Sequence, residues 1–343
     1  MIRLKEYYHT DKTNRINGGT MSKVKAKPFL KWAGGKTQLL PKIKEHLPSG
    51  VYSGEIKHYM EPFVGSGAVL FDLIQAEDYQ FEKAYIWDVN PELINVYKVI
   101  KSNEVSKLIS YLKQKEEKYN GTEDQEKRKV IYLAVRKKFN DDLETFENDP
   151  TNEFLIERAS EFIFLNRTCF NGLYRVNRAG KFNVPMGSYK KPTICDENNL
   201  LAVHELLQRV EIAEPGNYKE SLPVIEKILS DNEGIFVYFD PPYRPLNASS
   251  SFTSYSKFDF NDADQIELAH YFKHLDQLGA HLMLSNSDPK NIDEKDNFFD
   301  DIYFKKGLEN DNLFQINRVY ARRNINSKGE KRGQITELLI TNY

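Results

Sequence analysis

The chain has few of the features that define several protein classes. Only two cysteines, Cys169 and Cys195, occur in 343 residues, too few for a metal knuckle and no sign of a disulfide framework. No apolar run approaches the roughly 18 residues of a membrane span. The polar, charged start of the sequence lacks the apolar region of a secretory signal. We therefore expect a cytoplasmic protein that does not enter a membrane.

Patterns for metal binding or nucleophilic catalysis are also missing. The seven histidines form no evident Ser-His-Asp or Cys-His arrangement. No cluster of His, Cys and Glu has the spacing of metal ligands, and there is no internal repeat or low-complexity tract. We predict a protein without a bound metal and without a covalent enzyme intermediate.

The net charge of only −2 argues against a uniformly basic nucleic-acid binder, but the charges are segregated. Residues 23–44 contain seven lysines and no acid, and residues 166–192 contain six basic residues and no acid. Residues 318–332 contain six basic residues and one acid. Any one segment could be an ordinary solvated surface. Three together favour a face that binds a polyphosphate such as nucleic acid.

The hydrophobic pattern predicts an α/β protein. A strand at 59–64, a glycine turn, a helix at 68–76 and a strand at 84–87 form a βαβ unit. Residues 91–167 have a helical pattern, and 168–192 are expected to be loops. Further strands are predicted at 234–239, 280–284 and 337–341. This order indicates a doubly wound, Rossmann-like sheet that is split by an inserted helical and loop-rich domain.

The turn FVGSG at 63–67 suits close approach of the backbone to a ligand, because glycine allows a sharp turn. Asp88 follows about twenty residues after this turn, at the end of the next strand, where a carboxylate binds ribose hydroxyls. Together they predict a nucleoside site, although the turn alone could be structural. Leu70 stands where a dinucleotide fingerprint has its third glycine, which disfavours a nicotinamide cofactor.

The segment GGKT at 34–37 is similar to the end of a phosphate-binding loop. Leu30 stands where that motif requires a glycine and no strand precedes it, so an ATPase is excluded. Trp32 and Lys36 could instead flank a ligand, with the ring packed on it and the ammonium paired with a carboxylate. The alternative is a core tryptophan beside a surface lysine.

Asp240-Pro241-Pro242-Tyr243 follows the apolar run 235–239, where a buried strand would end. Proline has no N–H and a fixed φ, so the Pro241 carbonyl can point into a cleft. Asp240 and this carbonyl could accept hydrogen bonds from one amino group while Tyr243 stacks on the ring that carries it. The alternative is a plain Pro-Pro turn with aspartate as a turn former.

The sequence FNGLYRVN at 170–177 combines side chains that suit DNA. Arginine can read guanine, asparagine can read adenine, and an aromatic ring can wedge into a base stack. A turn that only lines a core would not need so many donors. Cys169 has no evident histidine partner and is expected to be buried.

Six motifs occur in one order: KWAGGK at 31–36, EPFVGSG at 61–67, Asp88, NRxxxNGLxR from Asn166, FNVP at 182–185 and DPPY at 240–243. Over residues 27–343 this set resembles the Dam-type N6-adenine DNA methyltransferases, the D12 class of the α group. The resemblance implies a Rossmann-like methyltransferase fold, S-adenosyl-L-methionine as the cofactor and double-stranded DNA as the partner. It divides the chain into a flexible extension (1–26), a catalytic domain (27–91 and 196–343) and a target-recognition domain (92–195).

The resemblance also assigns residues. The catalytic set is Asp240, Pro241, Pro242 and Tyr243. The cofactor set is Trp32, Lys36, Phe63, Gly65, Gly67, Asp88 and Asp240. The DNA-binding set is Lys31, Phe170, Asn171, Arg175, Ser188 and Tyr189.

Some of these assignments bear on the target sequence. Lys31 and Arg175 match positions that touch guanines in members that methylate GATC, whereas Ser188 stands where members often have arginine. The implied reaction is therefore methylation of adenine N6, in a base flipped out of a GATC or GATC-like site.

Three further expectations complete this interpretation. The chain is expected to be a monomer, and a separately encoded restriction endonuclease is a possible partner. Methylation of cytosine N4 or of a protein glutamine is the first alternative, which aspartate at position 240 disfavours. The second is a DNA-binding protein that has lost catalysis, which the complete set of Trp32, Lys36, Asp88 and Asp240 argues against.

Overall fold

The structure is a computed structural model that describes residues 24–32, 34–245, 260–303, 314–321 and 335–343. Most of the predicted extension 1–26 lies outside these residues. Within the described part, no helix combines the length and apolar character needed to cross a membrane. No group of three or more His, Cys, Asp and Glu side chains in that part could hold a metal ion.

The core is a seven-stranded sheet with the order β3-β2-β1-β4-β5-β7-β6. The strands are β1 (Ile56–Glu61), β2 (Lys83–Ile86), β3 (Val210–Ile212), β4 (Gly234–Phe239), β5 (His281–Ser287), β6 (Gln315–Ala321) and β7 (Ile335–Thr341). Pairs from β3 to β5 are parallel, and β7 runs antiparallel to β5 and β6. The sheet and its flanking helices confirm the predicted Rossmann-like α/β fold.

Helices cover both faces of the sheet, so its central strands are buried on both sides. Alternate residues of β4 point to opposite faces. Phe236 and Tyr238 join one hydrophobic cluster, and Ile235, Val237 and Phe239 join the other. This double burial explains why the apolar run at 235–239 predicted a strand so clearly.

The helices are α1 (Leu40–Glu45), α2 (Ser49–Ser53), α3 (Ala68–Ile74), α4 (Pro91–Lys101), α5 (Val105–Asn120), α6 (Gln125–Asp141), α7 (Leu143–Asn148), α8 (Asn152–Thr168), α9 (Glu197–Leu207), α10 (Leu222–Ser230), α11 (Asp262–Leu278) and α12 (Phe298–Tyr303). Capping hydrogen bonds and prolines help to determine where several of these helices begin. At α4, the Asn90 side chain accepts from two backbone N–H groups, and Pro91 stands where no N–H is needed.

The predicted strand at 59–64 differs from β1, which ends at Glu61. Pro62 follows and cannot donate to a strand ladder, so pairing stops there. Strands β3 and β6 were not predicted. The predicted boundary at residue 92 falls inside α4, which packs against α8 and α9. The proposed division into domains therefore cuts a helix and stays a prediction.

Candidate active site

A row of polar side chains lies where β1, β4 and β5 end. Phe239 of β4 pairs with Leu284 of β5 in a parallel register. The next residues along the two strands, Asp240 and Ser285, therefore project side by side on one face of the sheet. The carboxyl ends of parallel strands are the usual place for a ligand site in such a sheet.

The Asp240 carboxylate is held at one of its two oxygens. The Lys36 ammonium lies 2.7 Å from Oδ1, and the Ser285 hydroxyl donates to the same oxygen over 3.0 Å. Among the described residues, no donor contacts Oδ2. Burial raises the pKa of Asp240, and Lys36 and Ser285 oppose that rise. The free oxygen is therefore available to a ligand.

The two prolines after Asp240 differ in what their carbonyls contact. The Gln265 side-chain amide donates to the Pro242 carbonyl over 2.9 Å. No donor within the described ranges reaches the Pro241 carbonyl, which leaves it free to accept. The ring of Tyr243 lies 4.4 Å from the Lys36 ammonium, and its hydroxyl donates to Glu337 over 2.9 Å.

A network of buried hydrogen bonds supports the turn at residues 240–243. The Asn286 amide donates to Gln265 over 3.1 Å, and its oxygen accepts from the Arg244 N–H over 3.1 Å. The Ser287 hydroxyl donates to the Arg244 carbonyl over 2.7 Å. Gln265 and Asn286 are fully buried. Such supporting contacts hold a site in one geometry, but they join residues distant in sequence, so the sequence analysis missed them.

Glu61, at the end of β1, is a buried carboxyl group that the sequence analysis did not select. The Tyr59 hydroxyl donates to it over 2.5 Å. Burial raises the pKa of Glu61 to about 8, and the nearby negative charge of Asp240 adds to the rise. Glu61 therefore keeps its proton at neutral pH. The available signal was its place as the first residue of the EPFVGSG motif, two residues before the glycine turn.

The predicted glycine turn and Asp88 are in direct contact. Asp88 accepts from the Gly65 N–H over 3.1 Å and from the Asn90 N–H over 2.9 Å. Burial raises the pKa of Asp88 to about 6. Gly67 has φ +71°, and a Cβ there would lie 2.6 Å from the Tyr97 hydroxyl oxygen. This turn therefore needs glycine for both its backbone conformation and its packing.

Trp32 lies against the same turn, because a Cβ on Gly65 would come within 3.1 Å of its ring. It also stacks on Tyr174, with ring centroids 5.9 Å apart. Phe63 packs against Tyr218 with centroids 5.2 Å apart. Lys36 is buried, so the alternative of a surface lysine is wrong. Its partner is the carboxylate of Asp240.

Lys31 joins the predicted DNA-binding residues to this site. Its ammonium lies 3.9 Å over the ring of Tyr189. The Asn166 side chain accepts from the Lys31 N–H over 2.9 Å and donates to the carbonyls of Lys31 and Gly172, over 2.8 and 2.9 Å. Phe170, in the same loop, is 51% exposed. An exposed ring next to basic residues suits contact with bases.

Arg175 begins a short hairpin, in which Val176 pairs with Phe182. The Arg175 side chain is exposed and donates to Asn183 over 2.8 Å. Ser188 is exposed and Asn171 has φ +56°, an uncommon conformation outside glycine.

Not every basic residue in these segments is available to DNA. Arg167 donates to the Phe29 carbonyl over 2.8 Å, and Arg318 contacts Asp288 and Asp300. These two arginines hold the fold. The predicted basic face is therefore smaller than the sequence suggested. Cys169 is buried, as expected, and burial raises its pKa to about 12.

A cleft of about 350 Å³ lies between the two predicted sets. Its walls include Trp32 from the predicted cofactor set, Lys31 and Asn171 from the predicted DNA-binding set, and Gly35 and Ser66, which belong to neither set. A volume of this size suits a small ligand. Asp88 and Asp240 do not line it, so the cleft is only part of the predicted cofactor site.

Comparison with known proteins identifies the class. The D12 class of N6 adenine-specific DNA methyltransferases matches residues 32–325, and the chain belongs to this family. The Type II methyltransferase M.MjaIII of Methanocaldococcus jannaschii is 50% identical, over 93% of this chain and 100% of that protein. The DNA adenine methylases of Vibrio cholerae and Salmonella typhi are 34% and 31% identical, each over 92% of this chain and 95% of the relative.

These findings confirm the protein family that the sequence motifs indicated. The chain is an adenine-specific DNA methyltransferase, and both alternatives, another acceptor and a protein without catalysis, are set aside. The roles of individual residues do not follow from family membership, so they are argued from geometry below.

Proposed function

We propose that the protein transfers a methyl group from S-adenosyl-L-methionine to N6 of an adenine flipped out of double-stranded DNA, within a GATC or GATC-like site. The observation that supports this most directly is the Asp240 carboxylate. One of its oxygens is fixed by Lys36 and Ser285, and the other is free next to the Pro241 carbonyl. Two free acceptors at the end of a central strand match the two hydrogens of an amino group.

The polar groups around the glycine turn fit the proposed cofactor. Asp88 offers a carboxylate for ribose hydroxyls, while the buried side-chain nitrogen of Asn90 has no acceptor in the described part of the chain. Lys36 suits the carboxylate of the cofactor, and the faces of Trp32 and Phe63 suit its base. When bound, S-adenosyl-L-methionine supplies an electrophilic methyl group.

Asp240 and Pro241 would activate the acceptor nitrogen. The amino lone pair of adenine is delocalised into its ring, which makes it a poor nucleophile. Hydrogen bonds from N6 to Oδ2 of Asp240 and to the Pro241 carbonyl draw the nitrogen towards tetrahedral geometry. They also stabilise the positive charge that develops on it. Both acceptors are fixed in advance, because Ser285 holds the other oxygen of Asp240 and Gln265 holds the carbonyl of Pro242, the residue after Pro241.

Tyr243 would stack on the extruded adenine, whose extraction from the helix costs a few kcal/mol. Phe170 is exposed enough to enter the space that the base leaves. Lys31 and Arg175 would read guanines. Ser188 has too short a side chain to reach as far as arginine does, so it would not make the contact to a base or phosphate that an arginine would make there.

Replacing Asp240 tests the reaction. We expect Asp240→Asn to lower incorporation of labelled methyl groups into adenine by at least about 100-fold, since the anionic acceptor becomes a neutral amide with one donor edge. Asp231→Asn, at an exposed helix end, is the matched control and should keep full activity. Near-normal methylation by Asp240→Asn would refute the assigned role.

Replacing Arg175 tests sequence recognition. Arg175→Ala should relax discrimination at one base pair by about 1–3 kcal/mol and leave the others unchanged. Sequencing that detects N6-methyladenine across a host genome would give the ranking of sites. An identical ranking for variant and wild type would show that Arg175 does not read a base.

A further inference from the structure

We propose that Ser285 is a positioning residue for the methylation reaction: it fixes one oxygen of Asp240 so that the other faces the adenine amino group. This inference rests on the proposed function of Asp240. No motif in the sequence selected Ser285, and it touches neither of the proposed ligands.

The sheet itself brings the two residues together. Ser285 is the fifth residue of β5, and its neighbour Leu284 pairs with Phe239, the residue before Asp240. Ser285 is fully buried. Its hydroxyl lies 3.0 Å from Oδ1 of Asp240 and 2.9 Å from the Tyr238 hydroxyl. Its position is therefore set by backbone pairing and does not depend on a mobile loop.

The direction of these hydrogen bonds follows from the chemistry of the groups. An ionised carboxylate can only accept, so Ser285 must use its single proton on Asp240. Tyr238 must then donate to Ser285. The chain Tyr238–Ser285–Asp240 thus has one arrangement of protons, and it orients the carboxylate about its last torsion.

Ser285 matters most when the cofactor is bound. In the structure described here Lys36 shares Oδ1 with Ser285. If Lys36 turns to the carboxylate of the cofactor, as proposed above, Ser285 becomes the main group that keeps Oδ1 in place. The other ionisable groups that face Asp240 are Glu61, Tyr238 and Tyr243. None of these three can supply a positive charge, so they cannot replace Lys36.

The test compares Ser285→Ala with Ser285→Cys, whose thiol is a weak donor. The rate of a single turnover is measured at several pH values on an unmethylated duplex that contains the sequence the wild-type enzyme methylates. We expect Ser285→Ala to lower this rate by about 10- to 100-fold, the loss typical of a hydrogen bond to a charged group, while the dissociation constant of S-adenosyl-L-methionine changes less than threefold. Ser285→Cys should recover part of the rate.

The pH profile separates positioning from a merely structural role. Ser285 donates to the ionised form of Asp240, so losing this bond raises the pKa of Asp240. In Ser285→Ala, the acid limb of the pH–rate profile should therefore move to higher pH. Ser221→Ala is the matched control, because Ser221 is equally buried and also contacts a tyrosine hydroxyl, that of Tyr271. It should leave the acid limb in place.

Two results would overturn the inference. One is a Ser285→Ala enzyme with the rate and acid limb of the wild type. The other is a loss of rate that tracks a lower unfolding temperature without any movement of the limb. Failure of the proposed function is a separate result, since the wild type itself would then produce no N6-methyladenine in a mass analysis of the DNA.

Discussion

At the scale of single residues, burial decides the acid–base state of the site. Asp88, Asp240 and Glu61 all lie at the ends of sheet strands, and burial raises the pKa of each. The Lys36 ammonium contacts Asp240 directly and opposes the rise there, whereas Glu61 accepts a hydrogen bond from the Tyr59 hydroxyl and receives only a weaker effect from Lys36. Direct contact with Lys36 therefore favours the ionised form of Asp240, whereas burial favours the protonated form of Glu61.

The proton on Glu61 predicts how stability depends on pH. The folded chain keeps it up to about pH 8, whereas an unfolded chain releases it near the usual value of 4.5. Between these values the native state binds more protons, so the free energy of unfolding falls as pH rises. We expect Glu61→Gln to weaken this fall, by up to about 1.4 kcal/mol for each pH unit.

Urea unfolding at several pH values between 5 and about 8 measures this difference directly. Glu77→Gln, at an exposed position, is the matched control and should follow the wild type. Parallel curves for Glu61→Gln and the wild type would mean that Glu61 is ionised in the folded protein.

The residue scale is also where sequence reasoning was weakest. The DPPY segment pointed to Asp240, because its composition is unusual. The sequence pointed to Glu61 only as the first residue of the EPFVGSG motif, and nothing in it pointed to Ser285, which is significant through Asp240 after the neighbouring strand. Which residues face each other depends on the register of the sheet, and a single sequence does not contain that register.

At the scale of elements, the turn between β1 and α3 is the most constrained segment of the site. Gly67 has φ +71°, and a Cβ added there would lie 2.6 Å from the Tyr97 hydroxyl oxygen. Gly54 has φ +79°, but a Cβ added there would meet nothing within 4 Å. Both glycines adopt the left-handed conformation, but only one is also packed. The pair therefore separates the cost of conformation from the cost of packing.

We expect Gly54→Ala to lower the free energy of unfolding by about 1–2 kcal/mol, the cost of a left-handed side-chain residue. Gly67→Ala should cost about 1–3 kcal/mol more, because the methyl group must displace Tyr97. Chemical unfolding of both variants gives the two values. Equal losses would mean that Tyr97 yields without cost.

Elements with a strong local signal were predicted well. The strand predicted at 234–239 matches β4, and the helix predicted at 68–76 begins where α3 begins, at Ala68. Strand β3 has three residues, too few for a visible pattern. Residues 168–192 were predicted as loops, and the short pairing of Val176 with Phe182 has no alternation long enough to reveal it.

At the scale of the whole molecule, one buried ion pair joins helix α8 to helix α4, which packs beside the sheet strand β3. Arg158 on α8 donates to both oxygens of Glu92 on α4, with distances of 3.1 and 3.0 Å from its Nε, and to the Phe139 carbonyl over 2.9 Å. The guanidinium also lies 4.1 Å over the ring of Phe139. Both side chains are almost fully buried.

Removing one partner should be costly for this reason. We expect Arg158→Met to lower the free energy of unfolding by about 3–5 kcal/mol, because it leaves the Glu92 carboxylate buried without a counter-charge. The double variant Arg158→Met with Glu92→Leu should regain much of that loss, since it leaves no buried charge. A double variant as unstable as the single one would show that Arg158 acts mainly through its packing.

The topology of the whole sheet was only partly predictable. Alternating strands and helices indicated a parallel sheet, and the family resemblance indicated its class. The antiparallel β7 between β5 and β6 could not be read from residues 337–341, because strand direction depends on the path of the connecting chain.

The hydrogen bonds of Asn166 to Lys31 and Gly172 couple two loops of the site to each other. One amide side chain binds the loop next to Trp32 and the loop that carries Phe170, so neither loop can shift without pulling the other. With the roles proposed for these loops, a mismatched DNA sequence that displaces the loop carrying Phe170 would also displace the segment next to Trp32, so a mismatch would lower both DNA binding and turnover.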